Sequence, residues 1–209
     1  MTARIDKGIT TGHFELDGGS WEVDNNVWVL GDDTECVVFD APHDAEEIAR
    51  VVGGRKVRAI LLTHAHSDHV DAVFDLQDKV EAPIHLHPGE RPLWELTHPD
   101  RGWDEDLQDG QVIEVAGVHL QVLHTPGHAP GACCFYAPDL GVVFSGDTLF
   151  EGGPGATGRS HSDFGTIIES ISQRLFILPE DTVVHTGHGG DTTIGAEKPH
   201  LQEWIDRGN

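Results

Sequence analysis

The sequence predicts a mixed α/β fold, and three observations lead there. Short runs rich in Val and Ile, bounded by Gly, Pro or Asp, recur along the chain as strands do. Between them lie stretches whose apolar residues repeat at helical spacing. Histidine and aspartate clusters follow directly after several apolar runs, where loops leave a rigid sheet and commonly carry function.

In chain order the strands are expected at Val27–Leu30, Cys36–Phe39, Val57–Leu62, Ile84–His87, Val118–Leu123, Ala132–Tyr136, Val142–Ser145 and Thr182–His185. A helix over Ala45–Val52 follows Asp44, whose side chain suits an N-cap. Val70, Val73 and Phe74 form an apolar stripe after Asp68. Ile167, Ile168, Ile171, Leu175 and Leu178 recur at helical spacing, and Pro179 is expected to end that helix. Pro199 fits the first turn of a last helix bearing Leu201, Trp204 and Ile205. Core packing accounts for these stripes. The 209 residues suit one domain over 1–209 with a substantial core, without repeats or linkers.

Charge narrows the partners. Against 13 basic residues stand 36 acidic ones, a formal charge of -23. Such a surface repels phosphate backbones and anionic membranes, so neither nucleic acid nor membrane is an expected partner. The acids are spread along the chain, which reads as solubility rather than an interaction tail. A small-molecule substrate is the expected partner, and a homodimer is compatible with it. The first residues, MTARIDKGITTGHFELDGG, hold no apolar core of a signal peptide, and no stretch reaches bilayer-spanning length. Cys36, Cys133 and Cys134 fall in strand-like contexts, with 133 and 134 facing opposite sides. Buried free thiols in a cytoplasmic protein are expected, not a catalytic cysteine.

Strand Val57–Leu62 runs into Thr63, His64, Ala65, His66, Ser67, Asp68 and His69. A tight turn from strand to helix can aim His64 and His66 one way and Asp68 and His69 another. One loop then serves two ions, and imidazole with carboxylate suits zinc, iron, manganese or cobalt. The strand-then-ligand pattern returns at Gly127-His128, Gly146-Asp147 and Gly187-His188. Glycine beside each ligand allows a sharp turn or a close approach.

These residues resemble the metallo-β-lactamase superfamily, whose signature is HxHxDH followed by distant His, Asp and His. All seven positions are filled in order by His64, His66, Asp68, His69, His128, Asp147 and His188. The resemblance implies a four-layer αβ/βα sandwich: two mixed sheets face to face with helices outside. It implies two divalent ions per chain, zinc first among them, with iron or manganese as alternatives. His64, His66 and His128 would bind one ion. Asp68, His69 and His188 would bind the other, with Asp147 bridging. Catalysis would rest on Asp68 and Asp147, through attack of a metal-bridging hydroxide. Asp40, after Val37-Val38-Phe39, resembles an acid that braces the metal loop, and a turn-forming aspartate is the alternative.

Within the superfamily HTPGHAPG (124–131), SGDTLF (145–150) and Gly158-Arg159 followed by Ser162-Asp163-Phe164 look like the glyoxalase II branch of thioester hydrolases. β-Lactamases of this fold usually place Cys or His where Asp147 stands, so β-lactam hydrolysis is not the expected task. Full-length glyoxalase II has an added C-terminal helical region that grips glutathione, whereas 21 residues follow His188 here. Glutathione contacts are therefore not carried over. The stretches at 152–160 and 185–200 resemble small actinobacterial hydrolases, which points to a mycothiol-linked thioester such as S-formylmycothiol. Arg159 and His161 are the candidate substrate-binding residues. Trp94, His98 and Trp103, in an irregular segment, are candidates for one pocket wall or for ordinary packing. Two alternatives share the motifs. A persulfide dioxygenase would hold one iron on His64, His128 and Asp147, and a lactonase would use all seven ligands.

Overall fold

The computed structural model describes residues 2–208. One sheet takes the first half of the chain. Its strands are β1 (Arg4–Leu16), β2 (Gly19–Gly31), β3 (Glu35–Phe39), β4 (Lys56–Leu61), β5 (Ile84–Leu86) and β6 (Glu105–Asp106), paired in that order. The β1–β2 and β2–β3 pairs are antiparallel, and the rest are parallel. The second half builds β7 (Val112–Val115), β8 (Val118–His124), β9 (Cys133–Ala137) and β10 (Val142–Gly146). A two-stranded ribbon, β11 (Leu149–Phe150) and β12 (Gly153–Pro154), follows. β13 (Val183–Thr186) and β14 (Thr192–Thr193) then complete the second sheet in the order β14-β13-β10-β9-β8-β7.

Among the described residues seven short helices accompany them: α1 (Ala45–Val52), α2 (Ser67–Val70), α3 (Val73–Val80), α4 (Arg91–Thr97), α5 (Phe164–Ser170), α6 (Ile194–Glu197) and α7 (Leu201–Arg207). Asp44 caps α1 as expected, accepting from the Glu46 and Glu47 amides. Among the described residues no helix is long and apolar enough to cross a membrane.

Strand alternation sorts the apolar side chains into layers. Trp28, Leu30, Val37, Phe39 and Leu61 of the first sheet meet Leu120, Val122, Phe135 and Phe144 of the second. Their intervening neighbours Val27, Val29, Cys36, Val38 and Ile60 face Ile48, Leu76 and Trp94 on the helices outside. Cys134, Val143 and Val184 pack instead on Ile167, Ile171 and Trp204. Each fully buried large side chain contributes roughly 1.5–3 kcal/mol relative to exposure. Two sheets face to face with helices on both outer sides make the expected αβ/βα sandwich. Cys133 and Cys134 do face opposite layers, and all three cysteines are buried and free.

Several details differ from expectation. β1 and the first half of β2 form a long hairpin that apolar patterning does not reveal, because its few apolar residues, Ile9 and Trp21 exposed among them, are scattered between polar ones. Its signal is the Asp17-Gly18 pair, both at positive φ in a two-residue turn. The helical stripe from Ile167 does not continue to Pro179. α5 ends at Ser170, a wider turn over Ile171–Leu175 follows, and Leu178 joins the same cluster from outside it. Pro199 sits in a separate turn, Lys198–His200, just before α7. The segment read as irregular contains α4, which is too short to show an amphipathic stripe.

Candidate metal centre

Each of the seven predicted ligands stands at the end of a strand, on one edge of the sandwich. His64 and His66 lie in the turn after β4, and Asp68 and His69 open α2. His128 follows β8, Asp147 follows β10 and His188 follows β13. Parallel pairing of β10 with β13 sets the Asp147 and His188 loops side by side. Three overlapping groups, His64/His66/His128, His64/His69/Asp147 and Asp68/His69/His188, keep their donor atoms within 4.8 Å of one another.

In the first group His66 Nδ1 lies 3.1 Å from His64 Nε2 and 3.0 Å from His128 Nε2. In the second half His188 Nε2 lies 3.3 Å from Asp68 Oδ2, and His69 Nε2 lies 3.6 Å from it. Asp147 stands between the halves: Oδ2 is 3.6 Å from His128 Nε2 and 3.3 Å from His188 Nε2, and Oδ1 is 3.5 Å from His69 Nε2. Such spacings match donor positions around a cation. Tetrahedral bonds of 2.0–2.1 Å put ligand atoms about 3.3 Å apart.

Contacts behind the rings fix which nitrogen faces inward. His64 Nδ1 donates to Thr63 Oγ1 (3.0 Å), which donates onward to Asp40 Oδ2 (2.8 Å). His69 Nδ1 donates to Asp40 Oδ2 (2.9 Å), His128 Nδ1 to the Ala156 carbonyl (2.8 Å) and His188 Nδ1 to the Asp24 carbonyl (2.7 Å). All four therefore aim Nε2 at the centre, where the neutral ring carries its lone pair. Asp40, at φ 60°, also accepts the Thr63 amide at 2.7 Å, so one carboxylate ties β3 to the ligand turn and to His69.

Burial lowers the His64 pKa well below its usual value, and neighbouring imidazoles add to this. The same causes, burial first, lower His128 and take His66 to about 3. Three neutral rings thus converge, with at most one hydrogen among their three inward nitrogens. For His188, burial pulls down, but Asp147 and then Asp68 outweigh it and lift the pKa to about 10. His69 is likewise raised against burial by Asp147, Asp68 and Asp40. The same ion pairs overcome burial to hold Asp147 well below the carboxylate range and Asp68 at about 2.

The donors fit a pair of cations on a further observation. Asp147 Oδ1 is buried and accepts no hydrogen bond. Neutral imidazoles and ionised carboxylates are the states in which these groups ligate.

A cavity of about 340 Å³ opens onto this centre, walled by Phe14 and Trp21 of the hairpin, Phe150 and Ala156. Arg159 closes its rim, with the guanidinium 3.9 Å over the Trp21 ring and 5.3 Å from Phe14. Next to it the Ser160 amide donates to Asp17 Oδ2 at the hairpin tip (3.0 Å). His161 is exposed at φ 68° and lies outside the cavity lining, beside the hairpin turn instead. Trp94, His98 and Trp103 do not line this cavity. They pack around Phe74 and one another, and His98 Nε2 contacts the Val70 carbonyl.

Two residues escaped sequence reasoning. Glu90 is fully buried, accepting the Ala65 amide (2.7 Å) and the Gly131 amide (2.5 Å), so it joins the loop of His64 and His66 to that of His128. Asn25, also fully buried, places Nδ2 3.1 Å from Asp68 Oδ2. Neither belongs to a local pattern of ligand spacing, and no sequence signal marks them.

Comparison with known proteins agrees with this geometry. The model of the metallo-beta-lactamase superfamily matches residues 21–188. Hydroxyacylglutathione hydrolase GloC of Haemophilus influenzae is 31% identical, over 81% of this chain and 87% of its own. The crystal structure of the BLEG-1 B3 metallo-beta-lactamase superposes with a TM-score of 0.78 at 32% identity, covering 92% of this chain and 98% of that one. That of TTHA1623 in a di-iron-bound form gives 0.73 at 36% identity, covering 84% and 93%. With its signature donors gathered on one edge of the expected sandwich, the chain belongs to the metallo-beta-lactamase superfamily.

Proposed function

We infer that the chain is a two-ion metallohydrolase acting on thioesters. The observation that carries this is Asp147, whose two oxygens face donors of both halves of the cluster at 3.3–3.6 Å. His64, His66 and His128 would hold one ion, and Asp68, His69 and His188 the other, with Asp147 shared. Zinc is the first expectation, and the di-iron neighbour supports iron as the alternative. When bound, the ions supply a Lewis acid for a carbonyl and a water whose pKa falls to about 7.

The chain's own residues supply the rest. Asp40, Thr63 and the Ala156 and Asp24 carbonyls keep the imidazoles turned inward. Asp68, which lines the cavity, would ligate the second ion and orient a water beside it. The aromatic wall of Phe14, Trp21 and Phe150 accepts an apolar part of the substrate and excludes water from it. Arg159, at the rim, pairs with a carboxylate or another polar group on the thiol portion. Departure of a thiolate needs little general acid, which suits a cavity whose buried groups include no proton donor beyond the ligands. The GloC relative and the SGDTLF and HTPGHAPG segments support the thioester reading.

Metal analysis of purified protein, joined to assays with thioesters (S-formylmycothiol among them), lactones, a β-lactam and a persulfide, tests it. Two ions per chain and fastest turnover of a thioester are expected. One iron with oxygen uptake on the persulfide, or preference for the lactone or β-lactam, sinks it.

A further inference from the structure

Behind the second half of the cluster runs a chain of side chains that ends at the surface. Asn25, on β2 and fully buried, donates from Nδ2 to Asp68 Oδ2 at 3.1 Å. The same nitrogen lies 3.3 Å from His69 Nε2 and 3.4 Å from His188 Nε2. One amide thus abuts all three donors assigned to the second ion and none assigned only to the first. On its other side Asn25 Oδ1 contacts His43 Nε2 at 3.0 Å. His43 is itself pinned: with a hydrogen on each ring nitrogen it donates from Nε2 to Asn25 Oδ1 and from Nδ1 to Asp71 Oδ2 (2.9 Å), and its backbone amide donates to Asp71 Oδ1 (2.6 Å). The ring is covered by β1, where a β-carbon on Gly12 would come within 2.2 Å of His43 Nδ1.

A buried amide can present either its oxygen or its nitrogen to a cluster, and its partners decide which. Here the decision matters. Nitrogen inward gives Asp68 Oδ2 a donor and holds that oxygen in place. Oxygen inward would set a carbonyl against the carboxylate. His43, braced by Asp71, faces the amide from the far side and sets its orientation.

We propose that Asn25 is a positioning residue for the second ion, and that His43 with Asp71 holds its amide in the working orientation. The residue touches neither substrate nor reacting atoms. It acts by fixing Asp68 and backing His69 and His188, so it tunes the affinity of one half of the site. This rests on the two-ion reading above.

Apo protein titrated with cobalt(II) tests it, with the two sites told apart by the paramagnetically shifted Nδ1–H signals of their histidines. Asn25→Ala should weaken the second ion about 10- to 100-fold, the range for loss of a group that orients ligands. The first ion should bind unchanged, which also certifies the fold. His43→Gln should weaken the same ion several-fold, and the double variant should be no weaker than Asn25→Ala alone, since both act through one amide. Unchanged second-ion binding in Asn25→Ala overturns the proposal, as does equal weakening of both ions. Multiplying effects of the two substitutions, or no effect of His43→Gln, overturn it as well. Wild-type protein that takes fewer than two ions overturns the two-ion reading and this proposal together.

Discussion

Gly187 lies so close to Asp147 that a β-carbon on it would fall 2.2 Å from Asp147 Oδ1 and 3.0 Å from His69 Cε1. The glycine before His188 therefore leaves the space in which the shared carboxylate sits. Gly187→Ala should displace Asp147 and lower bound metal and turnover at least tenfold, while the sandwich stays folded. Gly190→Ala, whose nearest neighbour would be Glu151 at 3.8 Å, should change neither. Metal content and circular dichroism of the two variants make the comparison, and equal metal content would refute the crowding argument.

Asp147→Ala should be the most damaging single change to the cluster. It removes an anion that contacts donors of both halves and leaves the positive His69 and His188 without their main partner. Loss of metal and of turnover is expected. A variant with two ions and full activity would show that Asp147 does not bridge.

Metal uptake should release protons. In the metal-free cluster His188, with its pKa near 10, and His69, raised also, carry protons that ligation must expel. Protons and metal compete, so affinity should fall as pH drops and rise toward pH 10, by up to about tenfold per unit for each proton displaced. Calorimetry in buffers of different ionisation enthalpy counts the protons. Affinity that stays flat between about pH 6 and 8 contradicts the assignment.

Glu90 should matter to stability although it touches no substrate. Leu at this position strands the Ala65 and Gly131 amides, at about 1–3 kcal/mol for each buried donor, and should lower Tm by several degrees. Burial raises the Glu90 pKa from 4.5 to about 7, against the two amide bonds. The folded, metal-free protein thus keeps this proton while the unfolded chain has lost it. Its contribution to stability is full below pH 4.5 and fades as pH rises to about 7. Glu90→Gln should flatten that part of the metal-free stability profile, and an unchanged slope counts against the raised pKa.

Arg159→Met should weaken substrate binding and spare chemistry. Its guanidinium lies over the Trp21 ring, which also lines the cavity. With a thioester bearing an anionic thiol portion, KM should rise about tenfold at nearly constant kcat, the loss of one charge-assisted contact. A fall in kcat at constant KM would place Arg159 in the chemistry instead.

The linear sequence determined the donors and their order. HxHxDH packs four candidate ligands into one strand-to-helix turn, and the remaining three each follow a Val-rich strand beside a glycine, so local periodicity exposes them. The same periodicity located the central strands, because residues buried on both faces read as continuous apolar runs. Only the tertiary structure decided what lies behind the ligands. Asn25 meets Asp68 across 43 positions, and Glu90 meets Gly131 across 41. Arg159 reaches Trp21 from the opposite half of the chain. Such pairs leave no local pattern, since a hydrogen bond or stacking contact between distant segments constrains distance in space and nothing in the spacing of residues. The hairpin that walls the cavity stayed hidden for a related reason. Its apolar residues are few and scattered among polar ones, and pairing with its own second strand makes it a hairpin without a regular apolar alternation.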